Sequence, residues 1–404
     1  MTEGIKLSGL PCSCSSEWGR FQVPAMTFLS EICGVTGPSH FSRAVRRTAI
    51  LLATLGFVEC RAADMNCSTS TLRENLAHLV RSDPGAAKLF LRIEQQAKAA
   101  LAAPGSPVEL IGTAGKLQSD AAKVQSRAAL QDMPKLASLA YTYAVTTNTQ
   151  YSAAAKRIIL AWARINQPTG LPVDETKLEP LFTAYGLTRH VFSAEEREVT
   201  DSWLRLIAKC EREEVRPDSM TAFNNWNSHR LKIVGMIGFL LNDRSLADYA
   251  IEGFKKQVER NLFPDGSSLD FHERDALHYH CYDLEPLLTL AIAAHEQGTE
   301  LYDYQAPNGA SLLKSVNFLV PYCDGTSIHP EWVNSKVAFD RKRAEAGEAK
   351  FEIGAPFNPH DALPALELAS YFDPHLKRLV LQLTKPGSST RFPTWQSVLN
   401  EAGR

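Results

Sequence analysis

Ala276-Leu277-His278-Tyr279-His280-Cys281-Tyr282-Asp283-Leu284-Glu285-Pro286-Leu287-Leu288 sets leucines at 284, 287 and 288. That three- and four-residue spacing buries one stripe of a helix. The stretch therefore reads as the opening of a helix over 276–296, with Asp275 before it as the N-cap. Tyr279 and Tyr282 are i and i+3, and His278 and Tyr282 are i and i+4, so each pair shares a side of the first turns. Two tyrosines at helical spacing often form a core stripe. Here they come with His272, Arg274, His278 and His280, and each polar group that is buried needs a partner. The pattern favours a site over a plain core.

Working outward, the chain continues as helix after helix. Apolar residues recur at helical spacing over 72–81, 86–102, 121–147 and 152–164, the last stopped by Gln167-Pro168-Thr169-Gly170. Ser193-Ala194-Glu195-Glu196 is a capping box that opens 194–213. Further helices are expected over 220–241, 246–259, 310–319 and 360–371. Strand-like alternation is confined to a weak run at 350–353. Helices joined by short connections, with no fixed-period repeat to suggest a solenoid, predict an all-α fold: an incomplete (α/α) toroid of antiparallel helix pairs.

The toroid is expected to occupy residues 63–404 as a single domain. Residues 43–64 resemble a secretory leader: Arg43, Arg46 and Arg47 precede a ten-residue apolar run at 49–58, and small residues allow a cut after Ala62. That run is too short to span a bilayer. Residues 1–40 are aperiodic and rich in Ser, Gly, Pro and Cys, as expected if the start were assigned too far upstream. Residues 1–62 are accordingly left out of the fold, and the mature protein is expected to be periplasmic or secreted. The net charge of −2 over 404 residues argues against a nucleic-acid partner, but a locally positive cleft can coexist with it. Eight cysteines include no CxxC pair or zinc-type spacing, so one or two disulfides and isolated thiols both remain open.

Some fifty residues before the tyrosine block lies Asn224-Asn225-Trp226-Asn227-Ser228-His229-Arg230. Asn225 and His229 are i and i+4, with Asn224/Ser228 and Trp226/Arg230 beside them. Three asparagines within four helical residues cost about 1–1.5 kcal/mol relative to alanine, a local conflict most easily tolerated where the amides have work to perform. The competing reading has the amides capping a neighbouring loop and the histidine satisfied in the core.

Together the two blocks supply what proton abstraction alpha to a uronic acid carboxylate requires. An Asn amide or an Arg or His cation on the carboxylate lets the developing enolate delocalise. A His or an ionised Tyr takes the proton, and a Tyr hydroxyl returns one to the departing oxygen. A tyrosine acting as base needs a cation beside it, and Arg274 is the candidate. This chemistry calls for no metal or other cofactor.

The block from Ala276 to Leu287 resembles the ALxYHxYxLxPL segment of bacterial periplasmic alginate lyases. The resemblance implies that Tyr279 is the catalytic acid/base and that Arg274 binds substrate. Asn224-Asn225 resembles the start of the family's Asn-Asn-His motif, which implies that Asn225 neutralises the carboxylate. The third position is Trp226 instead of histidine. His229, one turn on, then becomes the candidate imidazole, either as base or as second neutraliser. A weaker likeness covers Tyr141–Ala144 and Ala161–Arg164, so that the resemblance extends over about 110–325.

The expected activity is therefore β-elimination on an acidic, alginate- or polymannuronate-like polysaccharide by a monomer with no membrane partner. Asn224, Trp226, Arg230, His278, Tyr282, Tyr185 and Arg189 are candidate substrate-binding residues. Lys116, Gln118, Lys123 and Arg127 read as a solvated face. Arg341-Lys342-Arg343 reads as a surface run that a loop could turn toward an acidic chain end. Glucuronan or another polyuronate is an alternative substrate, and a non-catalytic acidic-sugar binder is an alternative function. A glycoside hydrolase would need two opposed carboxylates; Asp270, Glu273, Asp275 and Asp283 are available, but no second motif faces them.

Overall fold

The computed structural model describes residues 65–384 and 389–404. The leader expected within 1–62 lies outside the described residues. Among those described, secondary structure is helical and no strand forms beyond isolated bridges such as Leu262 with Ser268. The run at 350–353 is not a strand: Ala349–Phe351 is a 3-10 turn that buries Phe351.

Helices α1 (Met65–Ser82) and α2 (Pro84–Ala100) meet at Asp83, whose carboxylate accepts from the first N–H groups of α2. The single helix expected over 121–147 is two, α3 (Ala121–Ala129) and α4 (Asp132–Thr146). Pro134 explains the break, because it cannot donate to the carbonyl four residues back and is tolerated only in a first turn. Next come α5 (Thr149–Ile165), α6 (Pro172–Glu175), α7 (Glu179–Thr188) and α8 (Ala194–Glu213). The Ser193/Glu196 capping box forms at the start of α8 with both of its reciprocal bonds.

The second half comprises α9 (Asn225–Leu241), α10 (Arg244–Asn261), α11 (Leu269–Arg274), α12 (Leu277–His295) and α13 (Leu312–Cys323). Four short helices complete it: α14 (Ala338–Glu345), α15 (Leu363–Ala369), α16 (Lys377–Leu383) and α17 (Trp395–Gly403). Helix pairs joined by tight turns, α4/α5 and α9/α10 among them, build the incomplete (α/α) toroid. No helix among the described residues is long and apolar enough to cross a membrane. Cys281 and Cys323 are buried free thiols.

Two apolar cores divide the ring. The first gathers Leu136, Ile158, Trp162, Phe182 and Leu204; the second gathers Phe254, Leu284, Leu287, Leu288 and Leu366. Helix α9 serves both, sending Ile233, Val234 and Ile237 into the first and Leu231 into the second. A helix apolar on all sides is a central one. Its close packing on α10 depends on Gly238, where an added Cβ would lie 2.6 Å from the backbone nitrogen of Ala247. The amide-rich first turn of α9 is thereby fixed beside α11 and α12.

Candidate active site

The N-terminus of α9 is built from its own amides. Asn224 is the N-cap and accepts from the Trp226 N–H at 3.1 Å. Asn225 donates through its backbone N–H (2.8 Å) and its side-chain Nδ2 to buried Asp270 of α11, which also accepts from Asn261 of α10. This carboxylate ties three helices together. Burial pushes its pKa up, opposed chiefly by the bonds from Asn225 and Asn261.

The turn between α11 and α12 aims the next two groups. Asp275 does not cap α12; Ala276 holds that position. Asp275 instead ends α11 in the left-handed region (φ 50°), and its carboxylate accepts from the backbone and side chain of Asn334. Aspartate is one of the few residues that adopts this conformation cheaply. The reversal stacks the Arg274 guanidinium over the Tyr279 ring, 3.8 Å from its centroid, while Arg274 also donates to Asp340 at 2.5 Å. Arg343 of α14 donates to the Tyr279 hydroxyl oxygen at 2.9 Å, held between the rings of Phe339 and Phe351. Trp332 (φ 69°) packs edge-on against Tyr279 from behind.

Opposite these groups, Thr113 and Ala114 form a wall pinned by buried Asp174, which accepts from Thr113 N (2.8 Å), Thr113 Oγ1 (2.5 Å) and Ala114 N (2.9 Å). The half-open cleft has a volume of about 400 Å³, within the range of about 300–1,000 Å³ that holds compact ligands. Six cations line it: Lys123, Arg127, Lys177, Arg274, Arg343 and Lys350. No carboxylate among the described residues does. Arg274, Arg343 and Lys350 are paired with Asp340, Glu348 and Asp361 behind the lining, so the excess positive charge that the net −2 conceals comes chiefly from Lys123, Arg127 and Lys177.

Six of the sequence-predicted residues reach this cleft: Asn225, Trp226, Arg274, His278, Tyr279 and Tyr282. Burial raises the Tyr282 pKa and keeps that phenol neutral. His229 does not reach it. One turn deeper on α9, its Nδ1 lies 2.8 Å from Thr176 Oγ1, its ring packs 4.3 Å from that of Tyr282, and it faces an adjoining cavity. Burial holds its pKa well below the usual histidine range. Arg230 is 2% exposed and sits 3.4 Å from buried Glu211, so it is not a substrate contact. Tyr185 and Arg189 lie away from the cleft, both bound to Asp201 at 2.6 Å and 2.5 Å. Asn224 is used up as a cap. His280 is satisfied in the core by Ser268 and the Ser315 carbonyl, its pKa lowered by burial to about 4.

Four further residues line the cleft: Gln118 and Arg127 are exposed, as a solvated face predicts, whereas Lys123 is buried and Arg343 is half-buried. Gln118, Lys123 and Arg127 form the wall beside Lys177, and Arg343 reaches the catalytic tyrosine candidate. The basic run at 341–343 was the available signal for Arg343. No pair of opposed carboxylates lines the cleft among the described residues, so the two-carboxylate arrangement of a glycoside hydrolase is absent there.

The family model for alginate lyase matches residues 84–329. An alginate lyase from Bacteroides ovatus has a similar structure, with a TM-score of 0.60 at 15% identity, covering 81% of this chain and 97% of that one. The alginate lyase A1-III of Sphingomonas species A1 superposes with a TM-score of 0.51 at 18% identity, covering 76% and 89%. A histidine-to-alanine variant of A1-III complexed with tetrasaccharide gives 0.52 at 17% identity, covering 76% and 87%. No curated protein matches the chain by sequence. The structural likenesses establish the toroid, and the family model, which spans well over half the sequence, establishes kinship: the chain belongs to the alginate lyase family and is a polysaccharide lyase.

Proposed function

We propose that this lyase cleaves an alginate- or polymannuronate-like uronic acid polymer, with Tyr279 as both base and acid. One observation carries the reading: the Tyr279 hydroxyl oxygen accepts from Arg343 while Arg274 covers its ring, in a cleft lined by cations and no carboxylates. Flanking guanidiniums stabilise negative charge on the phenol oxygen and on the substrate carboxylate. The Tyr279 oxygen takes the C5 proton, the C4–O4 bond breaks, C4 and C5 become doubly bonded, and the same oxygen returns the proton to departing O4. Asn225 borders the cleft from a buried position, and with one Nδ2 hydrogen given to Asp270 it has one left to share the carboxylate.

With His229 behind Tyr282, a single group serves both proton transfers. That requires the C5 hydrogen and O4 on one face of the ring, as in manno- and gluco-configured uronates. Guluronate, the C5 epimer of mannuronate, presents them on opposite faces. Polymannuronate is therefore the favoured substrate and glucuronan the second. The test is ultraviolet absorbance of the 4,5-unsaturated product across polymannuronate, glucuronan and polyguluronate. Signal from the first or second without the third is expected; no signal from any would sink the reading.

Trp226 and His278 serve as the sugar-stacking and hydrogen-bonding rim. The mature enzyme is proposed to comprise residues 63–404, released outside the cytoplasm after removal of 1–62 and active as a monomer without nucleic-acid or membrane partners. Intact mass of exported protein beginning at residue 63 is the expected outcome, and a retained N-terminus would contradict it.

A further inference from the structure

Among the described residues, His278 is the one histidine that lines the catalytic cleft. Three aromatic neighbours fix its ring, with centroids 5.5 Å away for Tyr279, 5.9 Å for Trp332 and 6.1 Å for Phe351. Its backbone N–H donates to Glu331 at 3.1 Å, which anchors the first turn of α12. Asp361, in the 3-10 turn Pro359–Ala362, places Oδ2 3.9 Å from the ring Nδ1. That is within ion-pair reach although too long for a hydrogen bond. Its other oxygen lies 3.3 Å from Lys350, so the two cations do not compete for one atom. The contact with His278 is the chief influence holding the Asp361 carboxyl below its usual range, against burial and with help from Lys350. His278 lines the cleft and Asp361 does not. Nδ1 therefore faces away from the cleft, and Nε2, on the opposite edge of the ring and without a partner among the described residues, is left to face it.

Resting on the lyase reading above, we propose that His278, protonated and positioned by Asp361, binds the carboxylate of the uronate whose C5 proton Tyr279 takes. That carboxylate is bonded to C5, so a group that neutralises it must stand beside Tyr279, and His278 packs edge-on against that ring. The other donors there are partly committed. Arg274 donates to Asp340, Arg343 donates to the phenol oxygen, and Asn225 gives one amide hydrogen to Asp270. A protonated imidazole balances Asp361 with one edge and offers a charged N–H with the other. As Tyr279 removes the proton, the C5–H electron pair moves toward the carboxylate, and the added charge on its oxygens strengthens the bond from Nε2. His278 keeps its own proton throughout. Cleavage of C4–O4 then carries the charge to O4, where Tyr279 delivers the proton it took.

Binding is measured in the Tyr279→Phe protein, so that the result does not depend on turnover. The probes are a mannuronate tetramer and its full methyl ester, which has the same shape without the charge, compared by calorimetry at about pH 6, below the ordinary histidine value of about 6.5. Adding His278→Gln should weaken the acid tetramer at least fivefold and leave the ester within twofold. Asp361→Asn should weaken the acid form at least threefold, again sparing the ester, and Asp361→Glu should restore most of that loss. Thermal melting checks the fold of each variant. With Tyr279 in place, His278→Gln should lower kcat on polymannuronate at least tenfold. Equal losses on acid and ester, an acid affinity or a kcat untouched by His278→Gln, or an acid affinity untouched by Asp361→Asn would each overturn the assignment. Failure of the lyase reading looks different: the unsubstituted protein makes no unsaturated product from polymannuronate, whatever the acid and ester affinities.

Discussion

Tyr279 and His229 separate two mechanisms that a sequence reading leaves open. If Tyr279 alone moves the proton, Tyr279→Phe removes turnover and retains binding, a loss of about 10²–10⁴-fold or more in kcat. Arg343→Ala should lower kcat by about 10²-fold, the scale of one lost charge-stabilising donor, because it removes the hydrogen bond to the phenol oxygen. His229→Ala should behave otherwise. It leaves the buried Thr176 hydroxyl without its partner, costing about 1–3 kcal/mol in stability, while kcat stays within a few-fold. Denaturant midpoints and kcat measured together decide the matter; a hundredfold fall in kcat for His229→Ala without unfolding would return the imidazole to the mechanism. Spacing could place Asn225 and His229 on one helix face, but it could not say how deep each lies. One turn, about 5.4 Å, is enough to carry His229 behind Tyr282 and into another cavity.

Elements with their own local signals were legible. The Ser193/Glu196 box marks the start of α8 because both its bonds are made within four residues. The leucine stripe of α12 is visible because period and burial agree. Helix α14 was not legible: its eight residues are mostly charged and lack an apolar stripe. What gives it meaning is a contact 64 residues away, from Arg343 to Tyr279. The α11–α12 reversal was hidden for a related reason, since Asp275 is a good N-cap by type yet serves as a left-handed C-cap, fixed by Asn334. The close approach of α9 and α10 was likewise invisible, because a glycine in a helix usually signals only lost stability. Here Gly238→Ala sets about 1 kcal/mol of helix preference against overpacking of about 1–3 kcal/mol. A Cβ 2.6 Å from one backbone atom and within 3.0 Å of two atoms of Leu246 puts the clash near the top of that range. A net loss of about 1–2 kcal/mol is expected in chemical denaturation; a stabilised variant would show that α10 can move away.

At the scale of the whole molecule, composition hid the feature that matters most for binding. Charges of both signs cancel to −2 along the chain, and only folding sorts six cations into one cleft with no carboxylate on its walls. Two of them, Lys123 and Lys177, have pKa values below the lysine norm, in each case chiefly through burial, with Arg343 adding to the effect on Lys123 and Lys232 to that on Lys177. A lowered lysine pKa means that the free cleft gives up these protons at lower pH than solvated lysines, which titrate near about 10.4. A bound carboxylate favours the charged form and pulls both pKa values back up. Substrate binding should therefore take up protons in the alkaline range, and KM should rise there before solvated lysines titrate. Raising salt should increase KM as well, since the attraction is between charges near a surface. Arginine keeps its charge across this range, so Lys177→Arg should flatten the alkaline rise in KM while leaving the pH profile of kcat unchanged. Calorimetry in two buffers of different ionisation enthalpy measures the proton uptake directly. A KM that stays flat through the alkaline range, or a rise unaltered by Lys177→Arg, would mean that these lysines do not hold the polymer.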